Sequence, residues 1–153
     1  MTLPRTVAVV AVLAASVAWA QGQKPNFSGT WLLVAPAERA ARAPAQEETI
    51  TQTDTTITLG HPSEGGGHRM TYRLDGQETE NRLAGMRFVS RASWDGQKLM
   101  LIDKDAAGAA LRPGARETKK ILHIDQDGSL VMEVTGSTAD RPGEPTRSVW
   151  RKR

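Results

Sequence analysis

The chain contains no cysteine, so no disulfide frame and no lipidated cysteine is available, and burial alone must hold it together. Aromatic residues make up only 5% of it. No apolar run reaches the roughly 20 residues that a bilayer-spanning helix needs, and no long stretch repeats apolar residues at helical spacing. Neither charge sign dominates. Twenty Lys and Arg stand against seventeen Asp and Glu, and setting Arg5 aside with an export segment leaves a surplus of two. Nucleic-acid-binding domains are far more basic, so no such partner is expected. The tail Arg151-Lys152-Arg153 reads as a solvated strand end.

Catalytic signatures are missing too. There is no Gly-x-Ser-x-Gly elbow, and Gly65-Gly66-Gly67 is followed by neither a Lys-Ser/Thr pair nor a helix. Asp103 and Asp105 share a strand face but read as a solvated strand end. His61, Glu64 and His68 lie in one glycine-rich segment and offer three metal donors. Histidines in exposed loops are commonplace, however, and no metal is assigned. His123, between Leu122 and Ile124, reads as a strand residue with a local hydrogen-bond partner. No catalytic residue and no cofactor is expected.

What is present begins with an export signal. Arg5, the apolar run Val7 to Ala18 and the small-x-small ending Ala18-Trp19-Ala20 predict cleavage after Ala20. A single domain over residues 21–153 follows, periplasmic or secreted, with no membrane span once the signal is removed.

From residue 27 onward, short Thr-, Val- and Ile-rich runs with period-two alternation recur, which predicts an almost wholly β protein. The runs are 27–34, 48–53, 55–60, 69–74, a short 77–80, 86–94, 97–104, 116–124, 129–136 and 146–152. Links between them alternate in length. Residues 35–47, 61–68, 105–115 and 137–145 are long and 81–85 intermediate, whereas Asp54, Asp75-Gly76, Asp95-Gly96 and Asp125 to Gly128 are tight. Asp-Gly suits a two-residue hairpin, in which both central residues take positive φ. In a meander, successive links fall at opposite ends, so every tight turn is expected at one rim. An open sheet of this size would expose two pairing edges. The expected architecture is therefore an antiparallel up-and-down meander of about eight to ten strands closed into a barrel, with a two-sheet sandwich as the alternative.

Alternation also sorts the faces. Met70, Tyr72 and Leu74 share one face, as do Phe88, Ser90, Ala92 and Trp94, and as do Leu130, Met132 and Val134. Met70, Tyr72, Phe88, Ser90, Ala92 and Met132 become the candidate ligand-lining set. Leu99 to Ile102 is apolar on both faces, which predicts cover on one side by a loop, a partner or the facing sheet.

Asn26-Phe27-Ser28-Gly29-Thr30-Trp31 resembles the Gly-x-Trp first-strand signature of lipocalins and the wider calycin group. The chain is also similar to a family of small exported lipocalin-like bacterial proteins. Its matches are the FSGTW start, Tyr72-Arg73-Leu74-Asp75-Gly76, Trp94-Asp95-Gly96, Asp127-Gly128 and Trp150-Arg151-Lys152, spread over much of residues 26–152. The resemblance implies a calycin-like barrel in which Gly29 permits close backbone approach and Trp31 plugs the closed end; alternation makes Trp94 a residue that fills the interior. The resemblance also implies a last-strand cation over Trp31, for which Arg151 is the candidate and Lys152 the alternative if the strand faces the other way. It implies no established activity.

The functional expectation is a barrel that binds a small apolar or amphipathic ligand through its long-loop end. That end carries Arg39, Arg42, Arg82, Arg112, Arg116 and Arg141 against Glu38, Glu64, Asp105, Asp140 and Glu144; a mildly positive mouth would favour an anionic or amphipathic molecule, the alternative being a screened rim of mixed charge with no preference. The alternative is a solid barrel that binds a protein or an envelope component through an outer apolar patch around Met100 and Ile102.

Overall fold

Period-two alternation becomes ten strands and no helix among the described residues of the computed structural model, which are 23–34, 46–62, 67–106, 116–138 and 141–153. The strands are β1 (Gly29–Leu33), β2 (Glu47–Gln52), β3 (Thr56–His61), β4 (His68–Arg73), β5 (Thr79–Leu83), β6 (Met86–Asp95), β7 (Lys98–Asp105), β8 (Arg116–Ile124), β9 (Leu130–Thr138) and β10 (Thr146–Lys152). Consecutive strands pair antiparallel except β4 and β5, and β1 pairs with β10, which gives the spatial order β4-β3-β2-β1-β10-β9-β8-β7-β6-β5. The result is a nearly closed barrel, not a sandwich. Residues 1–20, where an export signal is expected, and most of the links 35–47 and 105–115 lie outside the described residues.

One seam interrupts the ladder, between β4 and β5. Asn81 bridges it with its side-chain amide, donating from Nδ2 to the Thr71 carbonyl at 2.7 Å and accepting from the Thr71 N–H at 2.9 Å. An amide carries the same donor and acceptor as a peptide, so one side chain supplies the two bonds a neighbouring strand would have made. Asn81 is accordingly buried.

The turns correct two expectations. Residues 81–83 belong to β5, and the link that follows is only Ala84-Gly85, both left-handed at φ 49° and 80°. This is a two-residue hairpin of the primed kind. It sits on the rim of the long links, so the tight turns are not all gathered at one rim. In the three Asp-Gly pairs, glycine alone takes positive φ (Gly76, Gly96, Gly128). Asp75 and Asp127 instead accept from backbone N–H groups two residues on, at 3.0 and 2.9 Å, which is the local bond that makes Asp a turn former.

At the rim of tight turns the chain seals itself. Residues 23–28 leave the ladder and cross the barrel mouth, which is why β1 starts at Gly29 and not at Phe27. Phe27 is fully buried and stacks on Trp94, with ring centroids 6.0 Å apart. Gln52 pins the crossing segment by accepting from Phe27 N–H at 2.9 Å and donating to the Pro25 carbonyl at 3.2 Å. Trp31 is 2% exposed and donates its indole N–H to the Phe27 carbonyl at 2.9 Å. Above this seal, Ile50, Ile57, Leu59, Leu99, Leu101, Leu122 and Leu130 fill the middle of the barrel.

Candidate functional site

The six residues expected to line a ligand all face inward, yet they are not equivalent. Ala92, Met70 and Met132 are buried apolar contacts, and Phe88 is half-buried against the core nearer the long-link rim. Tyr72 and Ser90 are wholly buried and carry hydroxyls, so each needs a partner. Both find it in Asp103.

Asp103 is the centre of a cluster that crosses the lumen. The Ser90 hydroxyl donates to its Oδ1 at 2.6 Å, and the Tyr72 hydroxyl donates to its Oδ2 at 2.9 Å. Lys120 Nζ donates to Asp103 Oδ2 at 2.7 Å and to the Tyr72 oxygen at 3.1 Å. These four side chains come from β4, β6, β7 and β8, so the cluster also ties β4 across the seam to strands beyond it. Asp103 is 3% exposed, which corrects its reading as a solvated strand end: it shares a face with buried Leu99 and Leu101. Burial drives the Tyr72 phenol pKa upward, and the charge and hydrogen bond of Asp103 push it further in the same direction. The phenol therefore stays a neutral donor at any physiological pH.

A second polar pair lies toward the long-link rim. Glu48, directly opposite Trp31 in the β1–β2 register, points inward on the face of buried Ile50. Its Oε2 lies 3.4 Å from His61 Nδ1, and its side chain is 14% exposed. Burial raises its pKa above the ordinary glutamate value, while the hydrogen bond from His61 and the charges of His61 and Lys120 oppose that rise. Leu33, Leu83, Phe88 and Val134 are half-buried and pack against the core.

Asp103, Lys120, Glu48 and Asn81 were not singled out for this role from the sequence. A signal existed for the three charged ones. Lys120 shares a face with buried Leu122 through period-two alternation, and Glu48 shares one with Ile50; a charge on the apolar face of a strand is the mark of an interior group.

The remaining candidates fall elsewhere. Trp150 is inward and 7% exposed, so alternation turns Arg151 out to solvent and brings Lys152 over Trp31, with Nζ 5.6 Å from the ring. Lys152, not Arg151, is the last-strand cation. Gly29, at φ 145°, makes room for it, since an added Cβ would lie 2.5 Å from Lys152 Cε. Trp94, near the sealed rim, is half-buried and carries Lys24 over its ring at 5.2 Å. His61 and His68 face each other across β3 and β4, while Glu64 lies outside the described residues. Among the described residues no group of His, Asp and Glu is arranged to hold a metal ion. His123 points outward opposite Val131, and its buried Nδ1 finds no partner, contrary to the expected local bond, because its cross-strand neighbour is apolar. Met100 and Ile102 are half-buried on the outer face with Ile121 beside Met100. Of the rim charges, Glu38, Arg39, Arg42, Glu64, Arg112 and Asp140 lie outside the described residues. A groove of about 700 Å³ runs over β2 to β4, between Thr49, Thr51, Thr58 and Arg69, and reaches His61 and His68.

No protein-family model matches the chain, and no curated protein matches it in sequence. Its fold has solved counterparts. Human cRBP IV superposes with a TM-score of 0.56 at 15% identity, over 84% of this chain and 99% of that one. The protein therefore has a calycin-type barrel, as the Gly-x-Trp start implied.

Proposed function

We propose that this protein is an exported carrier of a small amphipathic molecule, held in the half of the barrel nearest the long links. One observation carries the reading: Glu48, a carboxylate on the inward face beside buried Ile50, shares the interior with Leu33, Leu83, Phe88 and Val134, which are only partly buried against the core. Apolar walls with a few convergent polar groups are the usual form of a small-molecule site. The likeness to human cRBP IV supports a barrel of the right kind. Incubation of the protein with a lipid extract, followed by native mass spectrometry, tests the reading. A discrete bound mass is expected, and its loss in Phe88→Trp, which fills the space; a protein that never carries extra mass overturns it. Export is tested by sequencing the mature N-terminus, expected at Gln21.

A second reading rests on the outer face, where Met100, Ile102 and Ile121 form an apolar strip. Here the barrel is a solid scaffold for a protein or envelope partner. Substituting Met100 and Ile102 by Thr abolishes partner capture under this reading and leaves small-molecule uptake untouched under the first.

A further inference from the structure

The polar groups of the lumen also select the head group, an inference that rests on the carrier reading. Counting donors and acceptors decides it. Lys120, the mostly buried cation of the cluster, spends two of its three ammonium donors on Asp103 and Tyr72. Asp103 receives three donors and has no call for another. Glu48 differs. Its Oε2 meets His61, while among the described residues no donor reaches Oε1. On the inner face of the long-link half, the carboxylates of Glu48 and Asp103 oppose Lys120, whereas Arg116, which alternation puts on the face of Lys120, is exposed at the rim.

A ligand carboxylate entering this space would add a negative charge beside two others, with two of the three donors of the Lys120 ammonium already taken by Asp103 and Tyr72. Like charges at close range in a poorly solvated site are strongly disfavoured. An ammonium group meets the opposite situation: an acceptor without a donor, and Trp31 directly across the ladder from it. We propose that the ligand is an amine-bearing amphipath whose ammonium pairs with Glu48.

Binding of decylammonium, decanol and decanoate to the full chain at pH 7, each below its micelle concentration, tests this through tryptophan fluorescence. Decylammonium is expected to bind at least tenfold more tightly than decanoate. Glu48→Gln should erase the preference, Glu48→Asp should keep part of it, and Glu117→Gln, which removes an outer-face carboxylate paired with Lys104, should leave it intact. A circular-dichroism melt verifies that each variant is folded. Equal or tighter binding of decanoate overturns the proposal, as does a preference that survives in folded Glu48→Gln; in either case decanol still binds and the carrier reading stands. Failure of all three probes to bind the parent protein overturns both.

Discussion

The two ends of this barrel solve the problem of closure with opposite chemistry. At the sealed rim, Phe27 and Trp31 are buried, Phe27 stacks on half-buried Trp94, and the Trp31 indole is paired locally with the Phe27 carbonyl. Toward the long-link rim, closure depends on charge and hydrogen bonds: Asp103 gathers Ser90, Tyr72 and Lys120, and Glu48 holds His61. An apolar plug tolerates loss of one contact in proportion to the area lost. A buried ionic cluster does not, because each member left behind keeps its charge or its unpaired hydroxyl.

That contrast is broken most forcefully at Asp103. Asp103→Ala strands a mostly buried ammonium and two wholly buried hydroxyls, and should cost about 3–5 kcal/mol in urea denaturation. Trp31→Ala, at the other end, removes a large buried side chain and should cost a comparable ~3–5 kcal/mol through the cavity it leaves. The two differ in rescue. Asp103→Ala combined with Lys120→Met and Tyr72→Phe should recover much of the loss, since no charge or phenol is then left unpaired. No single partner substitution should rescue Trp31→Ala. If the triple variant is no more stable than Asp103→Ala, the interior does not work as an ionic cluster.

A smaller effect is expected at the seam. Asn81→Leu keeps the bulk but leaves the Thr71 N–H and carbonyl without partners on that side, at about 1–3 kcal/mol. Hydrogen exchange at Thr71 should accelerate more than at Thr58, whose backbone keeps strands on both sides. Smaller still is the cation over the indole. Lys152→Met should cost about 0.5–1 kcal/mol, as cation–π contacts at exposed sites do. Arg151→Met should cost less, because Arg151 points to solvent.

The apolar end was legible in the sequence and the polar end was not, for a physical reason. Trp31, Phe88 and Met132 announce themselves because a large apolar side chain on an alternating strand has one low-energy destination. The ten strands followed from the same logic, and the Asp-Gly turns from local φ preferences. Glu48, Asp103 and Lys120 carry charges that are usually solvated, so their inward course depends on partners contributed by strands up to 48 residues away, as for Lys120 and Tyr72. Asn81 is harder still: nothing local shows that a seam needs an amide. Arg151 and Lys152 turned on the facing of a single strand, which Trp150 decided by packing inward.

The finest difference between the two ends lies in pH. Glu48 has its pKa raised on folding, chiefly by burial, so the folded state binds its proton more tightly than the unfolded state does. The stability this contributes is fully present below the unfolded value, near 4.5, and is lost as pH rises through the folded value. Glu48→Gln carries no such proton. Its stability relative to the parent should therefore increase from pH 4 to pH 7, read as urea midpoints at each pH. His61 opposes the shift, so His61→Ala should steepen the parent's decline over the same interval. Among the described residues the sealed rim holds no carboxylate whose pKa burial raises, and Phe27→Leu, at the plug rather than opposite Glu48, should displace the whole stability curve without changing its slope; a slope change there would mean that the sealed rim and the charged interior are coupled.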